Sequence, residues 1–280
     1  CELIFPNIYL WSRKYPTDFA VVEDTLVFLG TLENGEPSVT FPAGEPGQVP
    51  KAMDALMEWF RCQQKEFHMH LVQEQEFALL EQWYPGKFQI TYDRDSADYV
   101  YETEKLTTLA GKKLHGKRNH INKFKENYPD WVYEPISSGN VEDCFQMALK
   151  WREEAGCDQD EEKRAEMCVT LNALRLFEEL GLKGGLLRAE PEGEVLAFTI
   201  GEPLNPDTFV VHIEKAFADI QGAYPMINQQ FVSHEAQDYQ YVNREEDTGA
   251  EGLRKAKLSY RPVFLVEKGM VSYQNMEGKQ

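Results

Sequence analysis

The sequence predicts a mixed α/β (α+β) protein of two tandem units, each a mixed, mostly antiparallel sheet flanked by helices. Three observations lead there. Stretches of period-two alternation and stretches of helical spacing interleave along the whole chain. Turn signals separate them at short intervals, most clearly Asn34-Gly35, Pro85-Gly86 and Gly181. LVFLGTLENGEPSVTFPAGEP and LLRAEPEGEVLAFTIGEPL, about 160 residues apart, share the order strand, Gly-Glu turn, strand, Gly-Glu-Pro.

Taken in order, DTLVFLGTLENGEPSVTFPAG is a hairpin around Asn34-Gly35. Pro50 to Lys65 is an amphipathic helix, with Met53, Leu56, Met57 and Phe60 at helical spacing. FHMHLV is a strand, QEQEFALLEQWY a helix closed by Pro85-Gly86, and FQITY and ADYVY two closing strands. A basic helix ends near Tyr128-Pro129, and WVYEPI is a strand. Helices over Val141–Ala155 and Glu161–Leu180 follow, then strands LKGGLLRAE, EVLAFTIGEPL and DTFVVHIEKA. QGAYPMINQQFVSHEAQ is a helix, YQYVNRE a strand, GAEGLRKAKLSY a helix and RPVFLVEKGMV a strand. The division this implies is 1–103, a basic connecting helix over 104–130, and 131–280.

The 280 residues suffice for one large domain or two ordinary ones, and 42% hydrophobic with 27% charged residues is globular composition. No apolar run approaches the ~20 residues of a membrane span. CELIFPNIYLW lacks a basic n-region and an unbroken apolar core, so it does not read as a secretory leader. Five scattered cysteines (1, 62, 144, 157, 168) without a CxxC fit reduced thiols and a cytoplasmic protein. His68 and His70 share a strand face, but no third ligand stands at metal spacing, so no metal is expected.

The net charge of −18 argues against general binding to DNA or to anionic membranes. Yet Lys105 to Lys125 holds seven Lys or Arg and no Asp or Glu, leaving −25 for the rest. On a helical wheel Leu106, Leu109, Ala110, Leu114, Ile121, Phe124 and Tyr128 form one apolar stripe. Lys105, Lys112 and Lys123 fall opposite, as a solvated face does. Lys117 lies within the stripe's arc, with Arg118 and Lys125 at its edge and Asn119 beside them. Two readings stay open for Lys117, Arg118 and Asn119. They hold an anionic group of a substrate, or the cations pair with buried carboxylates or snorkel along their long stems.

Further on, Gly222 precedes a helix start, a place where backbone N–H groups gather an anion. Asn243, Arg244, Glu245, Glu246 and Asp247 end a strand, and Arg254, Lys255 and Lys257 lie on a short helix before Tyr260. A carboxylate and a phenol so placed can act as base and acid, and a charged loop before a solvated helix explains them as well. His212 and Glu214 share a strand face by period two, as a hydrogen-bonded pair or as catalytic groups.

AGKKLHGKRNHINKF, HIEKA…GAYPMINQQF and VNREEDTGAEGLRKAKLSYRP together resemble a family of bacterial proteins related to the phosphatidylglycerol lysyltransferase carboxyl-terminal domain, within the GNAT-like superfamily. The likeness covers most of residues 98–268, and the basic helix is also similar to one in Fem-type aminoacyltransferases. The resemblance implies two GNAT-like units and transfer of an acyl group from acyl-CoA or aminoacyl-tRNA to an amine or hydroxyl acceptor. It implies that Gln221, Gly222 and Ala223 hold the donor, with Asp219 where the family pattern has Gln or Arg. It matches Asn243 to a recurring strand-end Asn and Tyr260 to a recurring helix Tyr that protonates the leaving group. Glu214 or Glu246 then deprotonates the acceptor, and Lys117, Arg118, Asn119, Arg244, Arg254 and Lys257 serve anions. The alternatives are a non-catalytic GNAT-like module binding an anionic metabolite or a tRNA end, and a partner-binding scaffold.

Overall fold

Among residues 3–274, which the computed structural model describes, the interleaved pattern becomes nine α-helices and eleven β-strands. The first part of the chain contains α1 (Phe5–Trp11), β1 (Asp18–Val22), β2 (Thr25–Thr31), β3 (Pro37–Val39), α2 (Val49–Cys62), β4 (His68–Gln73), α3 (Glu74–Trp83) and β5 (Phe88–Glu102). The basic region is α4 (Thr103–Thr108) and α5 (His115–Asn127), followed by β6 (Val132–Pro135). Then come α6 (Val141–Glu154), α7 (Glu161–Arg175), β7 (Lys183–Arg188), β8 (Val195–Pro203) and β9 (Thr208–Ala216). The chain continues with α8 (Ala223–Glu235), β10 (Tyr241–Asn243), α9 (Glu251–Leu258) and β11 (Phe264–Tyr273).

The chain groups into two compact units. One joins the stretch up to Leu10 with Asp98–Leu265, and the other joins Trp11–Ala97 with the chain from Val266 onward. This grouping by compactness is not the division at 103 and 130 drawn from sequence signals, because β5 and β11 each contribute residues to both units.

In the smaller unit β1, β2 and β3 form an antiparallel meander, β3 runs parallel to β4, and β4 pairs antiparallel with β11. The predicted turn at Asn34-Gly35 joins β2 to β3, with Gly35 at φ 84. Met53, Leu56 and Phe60 on α2 pack with Phe67, Met69, Val72, Phe88 and Val271. α3 starts at a capping box, in which the Glu76 carboxylate accepts the Gln73 N–H at 2.8 Å.

In the larger unit the last residues of β5 pair antiparallel with β10, and β10 runs parallel to β9. β9, β8, β7 and β6 then continue antiparallel. α8 packs on β7, β8 and β9 together with α4 and α5, while α6 and α7 cover the opposite face. Adjacent β9 residues show this, since Glu214 reaches α8 and Lys215 reaches Glu166 on α7. The core here gathers Leu106, Phe124, Phe209, Ile227, Phe231 and Val242.

Several expectations are corrected. The basic segment is not one helix. α4 ends at Leu109, in the left-handed region at φ 49, and Gly111 follows at φ 93, so a short turn separates α4 from α5. Ala110 is therefore exposed, whereas Leu106, Leu109, Leu114, Ile121 and Phe124 are buried as the wheel placed them. The two strands expected at FQITY and ADYVY are one, β5, and the helix after Glu161 ends at Arg175 rather than Leu180. α1 and β1 had no sequence expectation. Finally, β9 carries a bulge: Ile200 pairs Ile213 and Gly201 pairs Val211, which leaves His212 as the extra residue. A side chain at Gly201 would collide with the Val210 carbonyl, so the bulge requires glycine there. The period-two argument for His212 and Glu214 fails at this point.

Candidate functional site

Four elements of the larger unit converge on one acidic side chain. Glu214 leaves β9 two residues after the bulge and is nearly buried. Its Oε1 accepts from Arg244 Nη2 at 3.0 Å and its Oε2 from Asn228 Nδ2 at 3.0 Å. Arg244 follows the last residue of β10, and Asn228 lies on the buried side of α8. The Arg244 guanidinium lies 4.8 Å from the Tyr260 ring centre, and the Lys117 ammonium, from α5, lies 4.0 Å from it. Tyr101 meets Tyr260 edge to face at 6.3 Å and donates its hydroxyl to the Lys257 carbonyl at 2.8 Å.

The electrostatics follow from burial and from two cations sharing one carboxylate. Burial, then the nearby Arg244 charge, draws Lys117 down to about 8, with Glu214 opposing. Burial raises the Tyr260 phenol well above its ordinary value despite Arg244, so it keeps its proton. Burial works most strongly against the Arg244 charge, but Glu214, Tyr101 and Tyr260 together offset it and hold the guanidinium above its ordinary value. Arg244 Nη1 and Asn228 Oδ1 are both buried without a hydrogen-bond partner. A buried donor or acceptor left unmade costs about 1–3 kcal/mol.

The loop after β10 is fixed from several sides. Asn243, expected to contact the acyl donor, donates from Nδ2 to Asp98 at 3.0 Å, and its Oδ1 accepts from the Glu245 N–H at 2.7 Å. Lys257 is buried and donates to the carbonyls of Arg244 at 2.6 Å, Glu245 at 3.1 Å, and Glu246. Those are all the protons an ammonium has. Arg254 grips Asp247 with two hydrogen bonds, 2.8 and 2.7 Å, and Tyr99 donates to the same carboxylate. These bonds hold the Asp247 carboxyl well below the usual range. Glu246 is half-buried, with its carbonyl under Lys257. His212 lies between Glu245 at 2.7 Å and Glu202 at 3.0 Å. Burial opposes its charge, but the two carboxylates prevail and raise it to about 9.

The basic segment divides by role. Arg118 Nη1 donates to the carbonyls of Leu109 and of Gly111, the latter at 2.9 Å, which caps the end of α4. Asn119 is exposed and pairs with His115 at 3.2 Å. Of the three residues singled out there, Lys117 alone reaches Tyr260. At the start of α8 Gln221 is exposed, and Ala223 is buried with its N–H given to the Ile220 carbonyl at 3.2 Å. Gly222, at φ 87, lies against the His120 carbonyl of α5, where any side chain would collide. α5 thus crosses the helix start that sequence reasoning gave to a donor pyrophosphate.

Sequence reasoning therefore named four members of the cluster, Glu214, Arg244, Tyr260 and Lys117, and missed Asn228. Its signal was a polar residue among Met226, Ile227, Phe231 and Val232 on the apolar side of a helix. Among the described residues no three His, Cys, Asp or Glu side chains gather in a metal-binding group. Nor is any described helix long and apolar enough to cross a membrane.

Residues 1–271 match the family described as phosphatidylglycerol lysyltransferase, C-terminal. The fold is similar to a conserved protein of unknown function from Bacteroides thetaiotaomicron, with 42% identity, TM-score 0.91, and coverage of 98% of this chain and 91% of that one. It is also similar to L-PGS from Bacillus licheniformis at 12% identity and TM-score 0.63, covering 96% and 91% of the two chains, a likeness of fold. An uncharacterised protein of Mycoplasmoides gallisepticum is 24% identical over 195 residues, 68% of this chain. The match spans 61% of that relative's length.

Proposed function

The chain belongs to the family of phosphatidylglycerol lysyltransferase carboxyl-terminal domains, and from that premise we propose that it is a transferase, moving an aminoacyl group from an activated ester to an amine or hydroxyl acceptor. One observation carries the choice of an aminoacyl group. The two orphaned polar atoms beside Glu214 are a donor, Arg244 Nη1, and an acceptor, Asn228 Oδ1. An aminoacyl ester satisfies both, offering its carbonyl oxygen to the arginine and its amino group to the asparagine. A plain acyl thioester satisfies only the first.

In this reading Tyr260, which keeps its proton, donates to the leaving oxygen. Arg244 stabilises the oxyanion that forms at the carbonyl, from a site where no water-like reorganisation is needed. Glu214 holds Arg244 and Asn228 in place beside the reacting ester. Acyl-CoA is the rival donor. The start of α8 offers its pyrophosphate little, since the Ala223 N–H is engaged and Gly222 faces the His120 carbonyl.

The test is a melting-temperature series with aminoacyl-tRNA, uncharged tRNA, acetyl-CoA and free CoA, each with and without phosphatidylglycerol vesicles, followed by transfer of labelled amino acid. A ligand at ~100 times its dissociation constant adds about 2.7 kcal/mol, which is readable. A shift larger for charged than for uncharged tRNA, with label reaching an acceptor, is the expected result. A shift with acetyl-CoA alone would make coenzyme A the donor. Binding of charged tRNA without any transfer would leave a binding module and end the transferase reading.

A further inference from the structure

We propose that Lys117, rather than a carboxylate, takes the proton from the acceptor, and that Glu214 is a positioning residue. The inference rests on the transfer reaction proposed above.

Glu214 is poorly placed to be a base. Each of its oxygens already accepts a hydrogen bond, one of them from a guanidinium that balances its charge. Lys117 is in the opposite situation. Its contact is the face of Tyr260, at 4.0 Å, and no carboxylate, carbonyl or hydroxyl of the described residues hydrogen-bonds to it. The titratable and charged groups that face it are Glu214 from β9, Arg244 after β10 and Tyr260 after α9. Two cations thus share one carboxylate in a half-buried place. The excess charge is relieved when one cation gives up its proton, and an arginine does not. Lys117 is the member that does, and its value near 8 puts a neutral amine within reach at working pH. Beside it, Tyr260 is shifted the other way. Neighbouring groups with values pushed apart are how one site holds both an acid and a base.

The acceptor nitrogen or oxygen attacks the ester carbonyl carbon, forming the new C–N or C–O bond, and its proton passes to the Lys117 Nζ lone pair. The ester C–O bond breaks, and the Tyr260 proton goes to the leaving oxygen. The Lys117 ammonium then returns one proton to the Tyr260 oxygen through solvent, which restores both groups.

The experiment has two parts on the full chain. Trace acetic anhydride labelling of the wild type across pH 6.5–10.5, read by peptide mass spectrometry, reports the titration of Lys117 without any turnover. The expected midpoint is about 8, well below the ~10.4 of an ordinary lysine. The second part compares pH–rate profiles of wild type, Lys117→Arg and Glu214→Gln. Lys117→Arg keeps the charge but cannot give up a proton, so kcat/KM falls by about 100-fold or more. Donor binding, read by melting shift, stays within about threefold in that variant. Glu214→Gln keeps a basic limb, moved below pH 8 because the carboxylate that supports the Lys117 charge is gone, which separates positioning from proton transfer. Lys117→Arg with kcat/KM within about threefold of wild type would make Lys117 an anion clamp and overturn the proposal. Labelling of Lys117 at an ordinary lysine midpoint overturns it without any variant. A wild type that transfers no aminoacyl group brings down the transfer reading, and the base role with it. A wild type that transfers while either Lys117 result is contrary brings down only the base role.

Discussion

His212 occupies the extra position of the β9 bulge, and its two carboxylate neighbours turn a local irregularity into a pH dependence. Its folded value, about 9, lies above the ordinary 6.5, so the folded protein holds this proton more tightly. The resulting stability is complete below about pH 6.5 and is lost as pH rises toward 9. Lys117 and Lys257, drawn down to about 8, act in the opposite sense, chiefly above that pH. Comparison with His212→Gln separates the two effects. The stability advantage of wild type over this variant should fall by about 1.5 kcal/mol between pH 6.5 and 8 in urea titrations. An advantage that stays constant over that range would mean that His212 is neutral in the fold. At this scale the sequence showed which residues carry chemistry but not where their atoms are spent. Arg118, Arg254 and Lys257 were candidates for binding a substrate's anion, yet each is engaged by carbonyls or a carboxylate brought close only by the fold. Asn228 carried no motif, and its importance comes from the strand across from it.

Among elements, the tightest approach is that of α5 to α8, where Gly222 meets the His120 carbonyl. Gly222→Ala introduces both a collision and a strained positive φ, and should cost on the order of 2–4 kcal/mol, read as a lower urea midpoint. Gly116→Ala, on α5 with nothing within 4 Å of the new methyl group, is the control and should be neutral or stabilising by up to ~1 kcal/mol. If the two variants melt alike, the helices do not cross there. Most element types were legible, because α2 and α6 keep helical apolar spacing and β7, β8 and β9 are short apolar runs bounded by turn residues. The basic segment misled for a physical reason. Its apolar residues keep helical spacing across a break made by Leu109 and Gly111, and a wheel assumes that no break exists. β5 continues through Asp93–Ser96, a polar stretch that reads as a turn, while the exposed strand β1 has no buried side to pattern. The tandem echo in the sequence matches the β2–β3 and β7–β8 hairpins, one in each unit.

For the whole molecule the governing quantity is charge. With −18 on 280 residues, self-repulsion opposes folding, and salt relieves it as the screening length shrinks from about 30 Å at 0.01 M to about 8 Å at 0.15 M. The melting temperature should therefore rise between 20 and 300 mM NaCl, by about 2 °C or more. Charged-tRNA binding should weaken over the same range, because phosphate contacts release counterions. Binding that ignores salt would locate recognition in the aminoacyl end alone. A different consequence follows from the pairing of β4 with β11. On a ribosome, His68 emerges nearly two hundred residues before Phe264. At 5–20 residues per second this leaves β4 without its partner strand for about 10–40 s. During that interval the edge of β4 is open to pairing with other chains. A truncation made just after the larger unit's last residue, Leu265, would make that exposure permanent.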